Sequence, residues 1–422
     1  MQDRINLTLR TIEKFIPSKI YKFFQPFYHF LLATAGTVLY RFPSRKIKVI
    51  AITGTKGKSS TTEFISAILE KAGYKTSILS TIRFKIDNES KRNLYKMTVP
   101  GRFFVQKFLR ESVKAKCDFA IIEMTSEGAR FYRHKYTNID YLLVTNITPE
   151  HIESHGSYDK YLSSKLKIAV ETVRSKKKKG VEKIIITTDT QEDLQKFHLH
   201  KADKNITIST KEISNINLSL PGDFNKANAL LALTLAKEIG IDEDLAKSAV
   251  KDLKKISGRA EEVKISEKQN FKAVVDYAHT VDSLEKIYSA YPGLKIAVLG
   301  ATGGGRDKSK RPHLGTTADQ NCDIVIVTDE DPYDDDVVEI INDVVSGIKN
   351  KIMNETLFVK MDRREAIALG LQKAKNLSKT VENVSVIITG KGTDPYIMRA
   401  NNQKEKWSDR EVTEEELKKI FE

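Results

Sequence analysis

A glycine-rich turn between an apolar run and a helix-like segment constrains this chain more than any other feature of its sequence. Residues 48–65 read KVIAITGTKGKSSTTEFI, and residues 49–52 have the unbroken apolar character of a buried parallel strand. Gly54 and Gly57 allow the backbone to turn tightly and to approach a ligand closely. The first N–H groups of the following helix would face an anion. The stretch therefore predicts a strand, a phosphate-binding loop and a helix, and with them a nucleotide site.

The sequence of this loop departs from the common phosphate-loop pattern, which has a glycine where this chain has Ile52. The chemistry is retained, because Lys58 can neutralise phosphate charge and Ser59 can bind Mg²⁺. The alternative is a plain glycine turn between a strand and a helix. The predicted nucleotide-binding residues of the loop are Gly54, Thr55, Lys56, Gly57, Lys58, Ser59 and Ser60.

Length and composition are those of a soluble globular protein with two or three domains. The 422 residues are 40% hydrophobic and 30% charged. The two cysteines, Cys117 and Cys322, indicate a reducing compartment rather than a disulfide framework, and the absence of CxxC and HExxH spacings argues against zinc. We therefore expect a cytoplasmic protein, and we predict that it acts as a monomer.

The formal net charge of +14 raises the question of an anionic partner. The densest basic run, RSKKKKG at residues 174–180, is typical of a solvated surface. The sequence has no basic motif interleaved with aromatic residues of the kind that RNA-binding modules use. We predict small-molecule substrates and no nucleic-acid partner.

Residues 1–46 differ from the rest of the chain and predict a short helical, apolar N-terminal arm. Within it, residues 27–40 read FYHFLLATAGTVLY and are the most hydrophobic part. This run is shorter than the roughly 20 apolar residues that span a bilayer. Two interpretations remain open: a helix packed on the catalytic domain, or a helix resting on a membrane surface beside Arg41, Arg45 and Lys46.

From Lys48 to about Lys255, short β-branched runs alternate with helical segments, which is typical of a mostly parallel sheet with helices on both faces. The runs are KTSILS, DFAIIEM, YLLVTNI and KIIITT. A second series, KAVVDY, KIAVLG, DIVIVT and NVSVIITG, predicts another α/β domain. The predicted fold class is α/β, with the helical arm at 1–46, a central ATP-binding domain of the P-loop type at 47–256 and a C-terminal Rossmann-like domain at 257–422.

Polar residues follow several predicted strands, where ligands bind in open α/β sheets. Glu123 closes the strand DFAIIE and is a candidate Mg²⁺ ligand, although a residue in this position can also cap a helix. Asn146 ends another strand, His151 and His155 follow it, and Lys165 lies on the next helix. Loop histidines are more often surface residues than ligands, so this segment by itself leaves both interpretations open.

Taken in order, these motifs resemble the Mur ligase family, whose members build the peptide of the bacterial cell wall. GTKGKSS, the Glu of IIEMTS and HIESHGSYDKYLSSK carry the resemblance, and LPGDFNKANAL, SGRAEE, VDYAHTVDSLEKI, GGGRDKSKRP and GKGTD continue it. The resemblance covers roughly residues 47–422. It is closest to the branch that adds the third amino acid to UDP-N-acetylmuramoyl-L-alanyl-D-glutamate.

The resemblance implies an ADP-forming amide ligase. A substrate carboxylate would attack the γ-phosphate of ATP to give an acyl phosphate, and an amine would then displace phosphate. Two Mg²⁺ ions would offset the repulsion between the carboxylate and the triphosphate. Lys165 aligns with a family lysine that is carbamylated by CO₂, which turns a cation into an anion able to bind metal.

The resemblance also implies roles for individual residues. The catalytic set is Lys58, Glu123, His151 and Lys165. The metal ligands are Ser59, Glu123, His151 and Lys165. Besides the loop, ATP would contact Asn225, Asn228, Arg259, Asp276 and His279. The acyl substrate would contact Thr98, Ser126 and Arg133, and the incoming amino acid would contact Asp331, Tyr333, Gly390 and Asp394.

Two departures from the family pattern concern the substrates. Only 46 residues precede the predicted central domain, where the family has an N-terminal domain that binds uridine diphosphate, so both a UDP-linked and a lipid-linked acyl donor stay open. Ligases that add diaminopimelate carry Asp-Asn-Pro-Arg. The aligned residues here are Glu330, Asp331, Pro332 and Tyr333, which lack the arginine that clamps a carboxylate.

The stretch DEDPYDDD at residues 329–336 places six acids in eight residues. It is either a solvated acidic segment that starts a helix or a pocket for a cationic side chain such as that of lysine or ornithine. We predict a ligase for a basic amino acid in cell-wall peptide synthesis. The alternatives are a related ligase for folyl-glutamate, poly-γ-glutamate or pseudopeptidoglycan, and an inactive ATP-binding homologue, against which the intact catalytic set argues.

Overall fold

The computed structural model describes residues 18–101, 103–150 and 152–422, with residues 18–26 described by their backbone alone. The chain divides into two compact units. The first extends to residue 58 and includes residues 73–91 and 97–209, and the second comprises residues 59–72, 92–96 and 210–422. The predicted boundaries at residues 46 and 256 stay predictions.

An eight-stranded sheet forms the centre of the first unit. Its strands are β1 (Lys48–Thr53), β2 (Thr76–Leu79), β3 (Arg83–Ile86), β4 (Glu89–Arg92), β5 (Phe119–Glu123), β6 (Tyr141–Val144), β7 (Ile184–Thr188) and β8 (Lys204–Ile208). In space they follow the order β4-β3-β2-β5-β1-β6-β7-β8. In this spatial order, each neighbouring pair from β2 through β5, β1, β6 and β7 to β8 is parallel, whereas β3 pairs antiparallel with β2. The mostly parallel sheet confirms the predicted fold class.

Helices cover this sheet and bury its apolar residues. They are α1 (Ser18–Leu39), α3 (Phe104–Lys114), α4 (Ser126–Arg130), α5 (Ile152–His155), α6 (Tyr158–Arg174) and α7 (Glu192–Gln195), while α2 (Lys58–Lys71) follows the glycine-rich loop and joins the second unit from Ser59 onward. Strand residues such as Val49, Ile122 and Leu142 form one core with Leu109 of α3 and Ile168 of α6. Each of these five side chains is fully buried.

Helix α1 packs on the first unit through one of its faces. The ring of His29, which is 5% exposed, lies 4.7 Å from the ring of Phe131. The ring of Phe30 meets Tyr132 edge-on at 5.9 Å. The predicted packed helix is therefore present over residues 18–39, and the part of the arm before residue 18 lies outside the described residues. In the described chain, no helix has the length and apolar character needed to cross a bilayer.

The second unit is built on a six-stranded sheet. Its strands are β9 (Glu261–Val263), β10 (Lys272–Val275), β11 (Lys295–Leu299), β12 (Ile324–Thr328), β13 (Leu357–Lys360) and β14 (Ser385–Ile388), in the spatial order β13-β12-β11-β14-β10-β9. All of these pairs are parallel except β9 with β10. The helices are α8 (Asp223–Glu238), α9 (Glu243–Asp252), α10 (Val281–Ser289), α11 (Lys310–Asn321), α12 (Val337–Ser346), α13 (Arg363–Leu377) and α14 (Asp409–Phe421). The hairpin β15 (Tyr396–Met398) and β16 (Lys404–Lys406) completes the unit.

All eight strands predicted from β-branched runs are present. The strands that the sequence did not predict lie at sheet edges or in hairpins, and some have polar sequences, such as β4, ESKR, whose residues are all exposed. An edge strand is defined by its backbone pairing with a neighbour and needs no apolar face. Its sequence therefore carries no periodic signal.

A buried arginine ties α13 to α14 in the second unit. Arg363 is 2% exposed, and its guanidinium donates two hydrogen bonds to Asp409, at 2.8 and 2.7 Å. It also donates to the backbone oxygens of Asp329 and Thr389. Trp407 Nε1 donates to the same Asp409 carboxylate at 2.8 Å. Every polar atom of this carboxylate is therefore satisfied inside the unit.

We expect Arg363→Met to destabilise the second unit by about 3–5 kcal/mol, because the Asp409 carboxylate would stay buried without its cation. The neighbouring Arg364 is 39% exposed and pairs with the exposed Glu415 and with Glu416, which is buried but also pairs with Lys419, so Arg364→Met should cost less than about 1 kcal/mol. Urea unfolding followed by the fluorescence of Trp407, the single tryptophan of the chain, measures both. Equal losses in the two variants would contradict the prediction.

Candidate active site

The loop after β1 adopts a backbone that requires glycine at two positions. Gly54 has φ of 139° and Gly57 has φ of 82°, both in the region that side chains disfavour. A Cβ atom on Gly54 would also overlap the Oγ1 atom of Thr145 and crowd the backbone of Asn146. The loop is thus pressed against the segment that follows β6.

Asn146 holds this loop in place. Its backbone oxygen accepts from the N–H of Thr55 at 2.8 Å, its side-chain oxygen accepts from the N–H of Lys56 at 3.0 Å, and its amide donates to the oxygen of Lys56 at 3.0 Å. Thr145 Oγ1 donates to the same Lys56 oxygen at 2.6 Å. These bonds order the loop through contacts from the neighbouring strand.

Lys58 and the two serines after it occupy the positions that the sequence predicted. Helix α2 begins at Lys58, which places Ser59 and Ser60 in its first turn, where N–H groups lack helical partners. The Lys58 ammonium donates to the backbone oxygens of Gly54 and Thr55, at 3.0 and 2.8 Å. A lysine that bridges the loop in this way places positive charge beside the N–H groups of the first helical turn, which is a suitable environment for phosphate.

Glu123 lies at the carboxyl end of β5 and is fully buried. Its Oε1 atom accepts from the N–H of Thr81 at 3.2 Å, and its Oε2 atom accepts from the Thr81 hydroxyl at 2.9 Å. The Thr81 hydroxyl is in turn 2.8 Å from the hydroxyl of Thr98. Thr81 thus connects two predicted site residues. Thr81 was not among the residues predicted from the sequence, although its position just after strand β2 could have indicated it.

Lys165 extends from α6 to the glycine-rich loop. Its ammonium nitrogen donates to the backbone oxygen of Gly54 at 2.6 Å and lies 4.9 Å from the centre of the Tyr161 ring. Burial, reinforced by the positive charge of Lys58, holds the pKa of Lys165 well below its usual value. Burial therefore shifts the protonation equilibrium of Lys165 toward the neutral amine, relative to a lysine in water. Tyr161, whose hydroxyl is 2.6 Å from the hydroxyl of Thr55, was not predicted as a site residue.

His155 is buried rather than exposed on a loop. It ends α5 with 7% of its surface exposed, and its Nε2 atom is 3.1 Å from the hydroxyl of Ser126. Its Nδ1 atom is 3.5 Å from the hydroxyl of Ser164, the residue before Lys165. The predicted acyl-substrate residue Ser126 is thus coupled to α6 through this ring. His151 lies outside the described residues.

Arg133, another predicted acyl-substrate residue, follows α4. Its Nη1 atom donates to the backbone oxygen of Val99 at 2.6 Å, next to Thr98. Two of the three predicted acyl-substrate positions are therefore neighbours. Among the described residues, no group of three or more His, Cys, Asp or Glu side chains is arranged to hold a metal ion.

In the second unit, three predicted motifs meet around Tyr277. The backbone N–H of Tyr277 donates to the oxygen of Gly258 at 3.1 Å, and a Cβ atom on Gly258 would crowd the backbone of Gly392 and Thr393. The guanidinium of Arg259 lies 4.7 Å from the centre of the Tyr277 ring. These contacts therefore bring together the three segments SGRAEE, DYAH and GKGTD.

Asp276 and His279 belong to the same assembly. The Asp276 carboxylate accepts from the N–H groups of Ala260 and Ala278, at 2.6 and 2.7 Å. Burial raises its pKa, and the charge of Arg259 partly opposes this effect. The Nδ1 atom of His279 is 2.8 Å from the backbone oxygen of Tyr277, and the His279 side chain is exposed. Asp276 thus shapes the backbone, and His279 is accessible to a ligand.

The predicted adenine-side asparagines lie on α8, three residues apart. Asn225 is 1% exposed and Asn228 is 5% exposed. The Asn225 amide nitrogen donates to the oxygen of Pro221 at 2.8 Å, whereas its side-chain oxygen has no partner among the described residues. A buried acceptor of this kind can receive a hydrogen bond from a ligand.

The acidic stretch DEDPYDDD is not a solvated segment, because most of its carboxylates have partners in the protein. Asp336 caps α12, Asp335 pairs with the buried Arg311 at 3.0 Å, and Asp334 accepts from the N–H of Asn401. The Glu330 carboxylate accepts from the Thr302 hydroxyl at 2.8 Å. The expected helix start is present, but only part of the stretch is available to a ligand.

Asp331 and Asp394 share two lysines of the chain. The fully buried Lys391 lies 2.8 Å from Asp331 and 3.2 Å from Asp394. Lys96, which is 18% exposed, lies 2.7 Å from Asp331 and 3.0 Å from Asp394, and its ammonium is 5.7 Å from the Tyr333 ring centre. Burial opposes the charge of Asp331, but the two ammonium groups outweigh it, so its pKa lies below the ordinary value. Lys96 was not among the residues predicted from the sequence.

Two family models match the chain. Residues 52–236 match the Mur ligase middle domain, and residues 258–392 match the Mur ligase glutamate ligase domain.

Two known proteins are similar to most of this chain. The UDP-N-acetylmuramoyl-L-alanyl-D-glutamate–2,6-diaminopimelate ligase of Clostridium botulinum is 33% identical over 411 residues, which cover 92% of this chain and 82% of that protein. The UDP-N-acetylmuramyl-tripeptide synthetase of Borreliella burgdorferi is 31% identical, over 90% of this chain and 78% of that protein.

Solved structures share the fold at lower identity. A UDP-N-acetylmuramoyl-L-alanyl-D-glutamate–2,6-diaminopimelate ligase superimposes with a TM-score of 0.58 at 22% identity, covering 89% of this chain and 79% of that one. Mycobacterium tuberculosis folylpolyglutamate synthase complexed with ADP gives a TM-score of 0.66 at 16% identity, covering 86% and 92%. These two likenesses establish the fold alone.

We expect Gly54→Ala to abolish binding of a fluorescent ATP analogue, because the added Cβ would push the loop away from Thr145. Gly73→Ala is the matched control, since Gly73 also has positive φ, 86°, but a Cβ there meets no atom within 4 Å. Both variants carry the left-handed penalty of about 1 kcal/mol, and only the first displaces the loop. Equal affinities for the analogue in the two variants would contradict the assignment of this loop.

Proposed function

Because the chain belongs to the Mur ligase family, we propose that it adds the third amino acid of the peptidoglycan peptide, joining a muramoyl-peptide carboxylate to an amine while ATP is cleaved to ADP and phosphate. The chain is an ATP-dependent acid–amino-acid ligase of the Mur type. The observation that carries the proposal further is Lys165, a buried lysine that donates to the backbone oxygen of Gly54 in the glycine-rich loop and whose pKa burial lowers.

The loop residues 54–60 would hold the phosphates of ATP. Their N–H groups and the Lys58 ammonium supply hydrogen bonds and positive charge to the γ-phosphate as the substrate carboxylate attacks it. The attack transfers the phosphoryl group to the carboxylate oxygen and releases ADP. The amine of the incoming amino acid then attacks the acyl carbon, loses a proton and displaces phosphate, which leaves an amide.

A neutral Lys165 amine is the form that reacts with CO₂. Its nitrogen would bond to the carbon of CO₂ and lose a proton, which converts the side chain into a carbamate anion. Burial favours this product only if a cation lies beside it. Oxygen ligands suit Mg²⁺, and we propose Ser59, Glu123, His151 and carbamylated Lys165 as the residues that hold two such ions. Bound Mg²⁺ would offset the negative charge shared by the triphosphate and the carboxylate.

The adenine would bind near α8. The buried side-chain oxygen of Asn225 has no partner within the described part of the chain and is suited to accept a hydrogen bond from the adenine amino group. In the second unit, Arg259 and His279 would contact the nucleotide, and Asp276 would act through the backbone that it braces. Thr98, Ser126 and Arg133 would contact the acyl donor.

We propose that the amino acid is basic, with lysine as the leading candidate. The Asp331 and Asp394 carboxylates lie 2.7 and 3.0 Å from the Lys96 ammonium, so their arrangement is compatible with a primary ammonium ligand. Gly390 leaves room for Glu330, because a Cβ atom at residue 390 would overlap the Glu330 carboxylate. Tyr333 stands where diaminopimelate ligases carry arginine, and a tyrosine cannot clamp a second carboxylate.

Phosphate release from ATP and Mg²⁺, with UDP-N-acetylmuramoyl-L-Ala-D-Glu and single amino acids, tests the proposal directly. We expect turnover with lysine or ornithine and not with diaminopimelate, and mass spectrometry should detect the amide. Turnover with diaminopimelate alone would refute the basic substrate but keep the ligase. No turnover with any amino acid, from protein that still binds ATP, would point to a different acyl donor.

Lys165→Ala should reduce turnover by about 100-fold or more, on the scale of losing one electrostatic group in a closed site. High chloride should partly restore it by replacing the missing negative charge. With ¹³C-bicarbonate, a carbamate carbon resonance should appear in the unmodified protein and disappear in Lys165→Ala. Lys167→Ala, an exposed position two residues away, is the control and should keep both activity and resonance. A resonance that persists in Lys165→Ala would disprove the carbamate assignment.

Lys96→Met should lower the KM for lysine, because removing the Lys96 ammonium frees the Asp331 and Asp394 carboxylates for the substrate. An increase of about tenfold in affinity corresponds to the roughly 1.4 kcal/mol that a charged hydrogen bond contributes. Lys91→Met, at an exposed position on β4, is the control and should leave KM unchanged. A KM that rises in Lys96→Met would mean that Lys96 helps to bind the substrate and does not compete with it.

A further inference from the structure

Helix α1 leaves one apolar face exposed while it packs through the other. The buried side includes Ala33 and Thr37, at 8% and 1% exposure. On the outer side, Phe27, Leu31 and Val38 are 62%, 48% and 58% exposed. At 3.6 residues per turn these three positions fall within about 40° of one another around the helix axis. The outer face is therefore an apolar stripe, on which these three side chains project from the same side of the helix.

A basic cavity adjoins the C-terminal end of this stripe, within the same unit. It has a volume of about 360 Å³ and is lined by Leu39, Tyr40, Arg41, Lys107, Arg110, Glu111 and Lys114. Four of its seven lining residues are cations and one is an acid. Lys107 pairs weakly with Glu111, at 3.7 Å. No ion pair joins Arg41, Arg110 or Lys114 to another residue of the described chain, so their charge is available to an anion.

The fold explains why these groups lie together. Lys107, Arg110, Glu111 and Lys114 recur along α3 at helical spacing and form its outer face, while Phe108 and Leu109 on its inner face belong to the core. Helix α1 ends at Leu39, and the left-handed backbone of Arg41 and Phe42 then reverses the chain beside α3. The apolar stripe and the basic cavity consequently belong to one continuous surface.

We propose that this surface, the outer face of α1 with the cavity beside it, docks the protein onto an anionic lipid bilayer. Apolar side chains at the level of the acyl chains and arginine or lysine at the level of the phosphates are the two components of interfacial binding. The exposed Arg45 and Lys46 add positive charge four and five residues after Arg41. The inference does not depend on the reaction that the ligase catalyses.

Sedimentation of the full chain with vesicles tests the surface. We expect binding to phosphatidylcholine vesicles that contain phosphatidylglycerol to be at least about tenfold tighter than to phosphatidylcholine alone. Leu31→Glu should abolish binding, because it places a charge in the apolar stripe. The double variant Arg110→Gln with Lys114→Gln should weaken binding about 25-fold, since each cation near an anionic surface contributes about fivefold.

The basic run at residues 174–180 supplies a charge-matched control. Lys176 and Lys179 are exposed, and Lys176→Gln with Lys179→Gln removes the same charge as the cavity variant. We expect this control to bind vesicles like the unmodified protein, and all variants should keep the same unfolding midpoint. Equal losses of vesicle affinity in the control and the cavity variant would mean that the net charge of the protein, and not this surface, determines binding, which would overturn the proposal. Absence of vesicle binding, with inorganic pyrophosphate binding to the cavity instead, would also overturn it.

Discussion

The candidate site depends on the parallel pairing of β5, β1 and β6 at the centre of the first sheet. Ile52 of β1 pairs in register with Glu123 of β5, and Thr53 pairs with Val144 of β6. Three chain segments therefore leave the sheet at one edge and at one level. This register brings the glycine-rich loop against Asn146 and fixes the Glu123 carboxylate at the same edge. A shift of register would separate these groups, even with every residue retained.

Burying a charged side chain costs free energy, and two buried cationic residues of this protein differ in how that cost is reduced. Arg363 stays charged because Asp409 and two backbone oxygens surround it. Lys165 has no carboxylate at hydrogen-bond distance among its described contacts, and burial lowers its pKa. The first solution stabilises the fold, whereas the second leaves a reactive amine in place. Such a group is costly for stability, which is a reason to interpret it as functional.

The sequence predicted those parts of the fold and site whose signals are local. Buried strands are continuous apolar runs. The positive φ of Gly54 and Gly57 is tolerated because glycine has no Cβ atom, which is known from the residue type alone. The prediction missed Thr81 and Lys96 because their importance lies in distant partners. Lys96 and Asp331 are 235 positions apart along the chain, and no pattern of spacing links them. The acidic stretch was ambiguous for the same reason.

By itself, the sequence determined the α/β class, the glycine-rich loop, the order of the motifs and, through their resemblance, the ligase family. Those features are encoded in short segments, whose propensities and spacings are independent of the rest of the molecule. Only the tertiary structure decided the lowered pKa of Lys165, the pairing of each carboxylate in residues 329–336 and the exposure of one face of α1. Each of these is decided by burial and by the charges nearby, and both arise only when segments far apart in the chain are packed together.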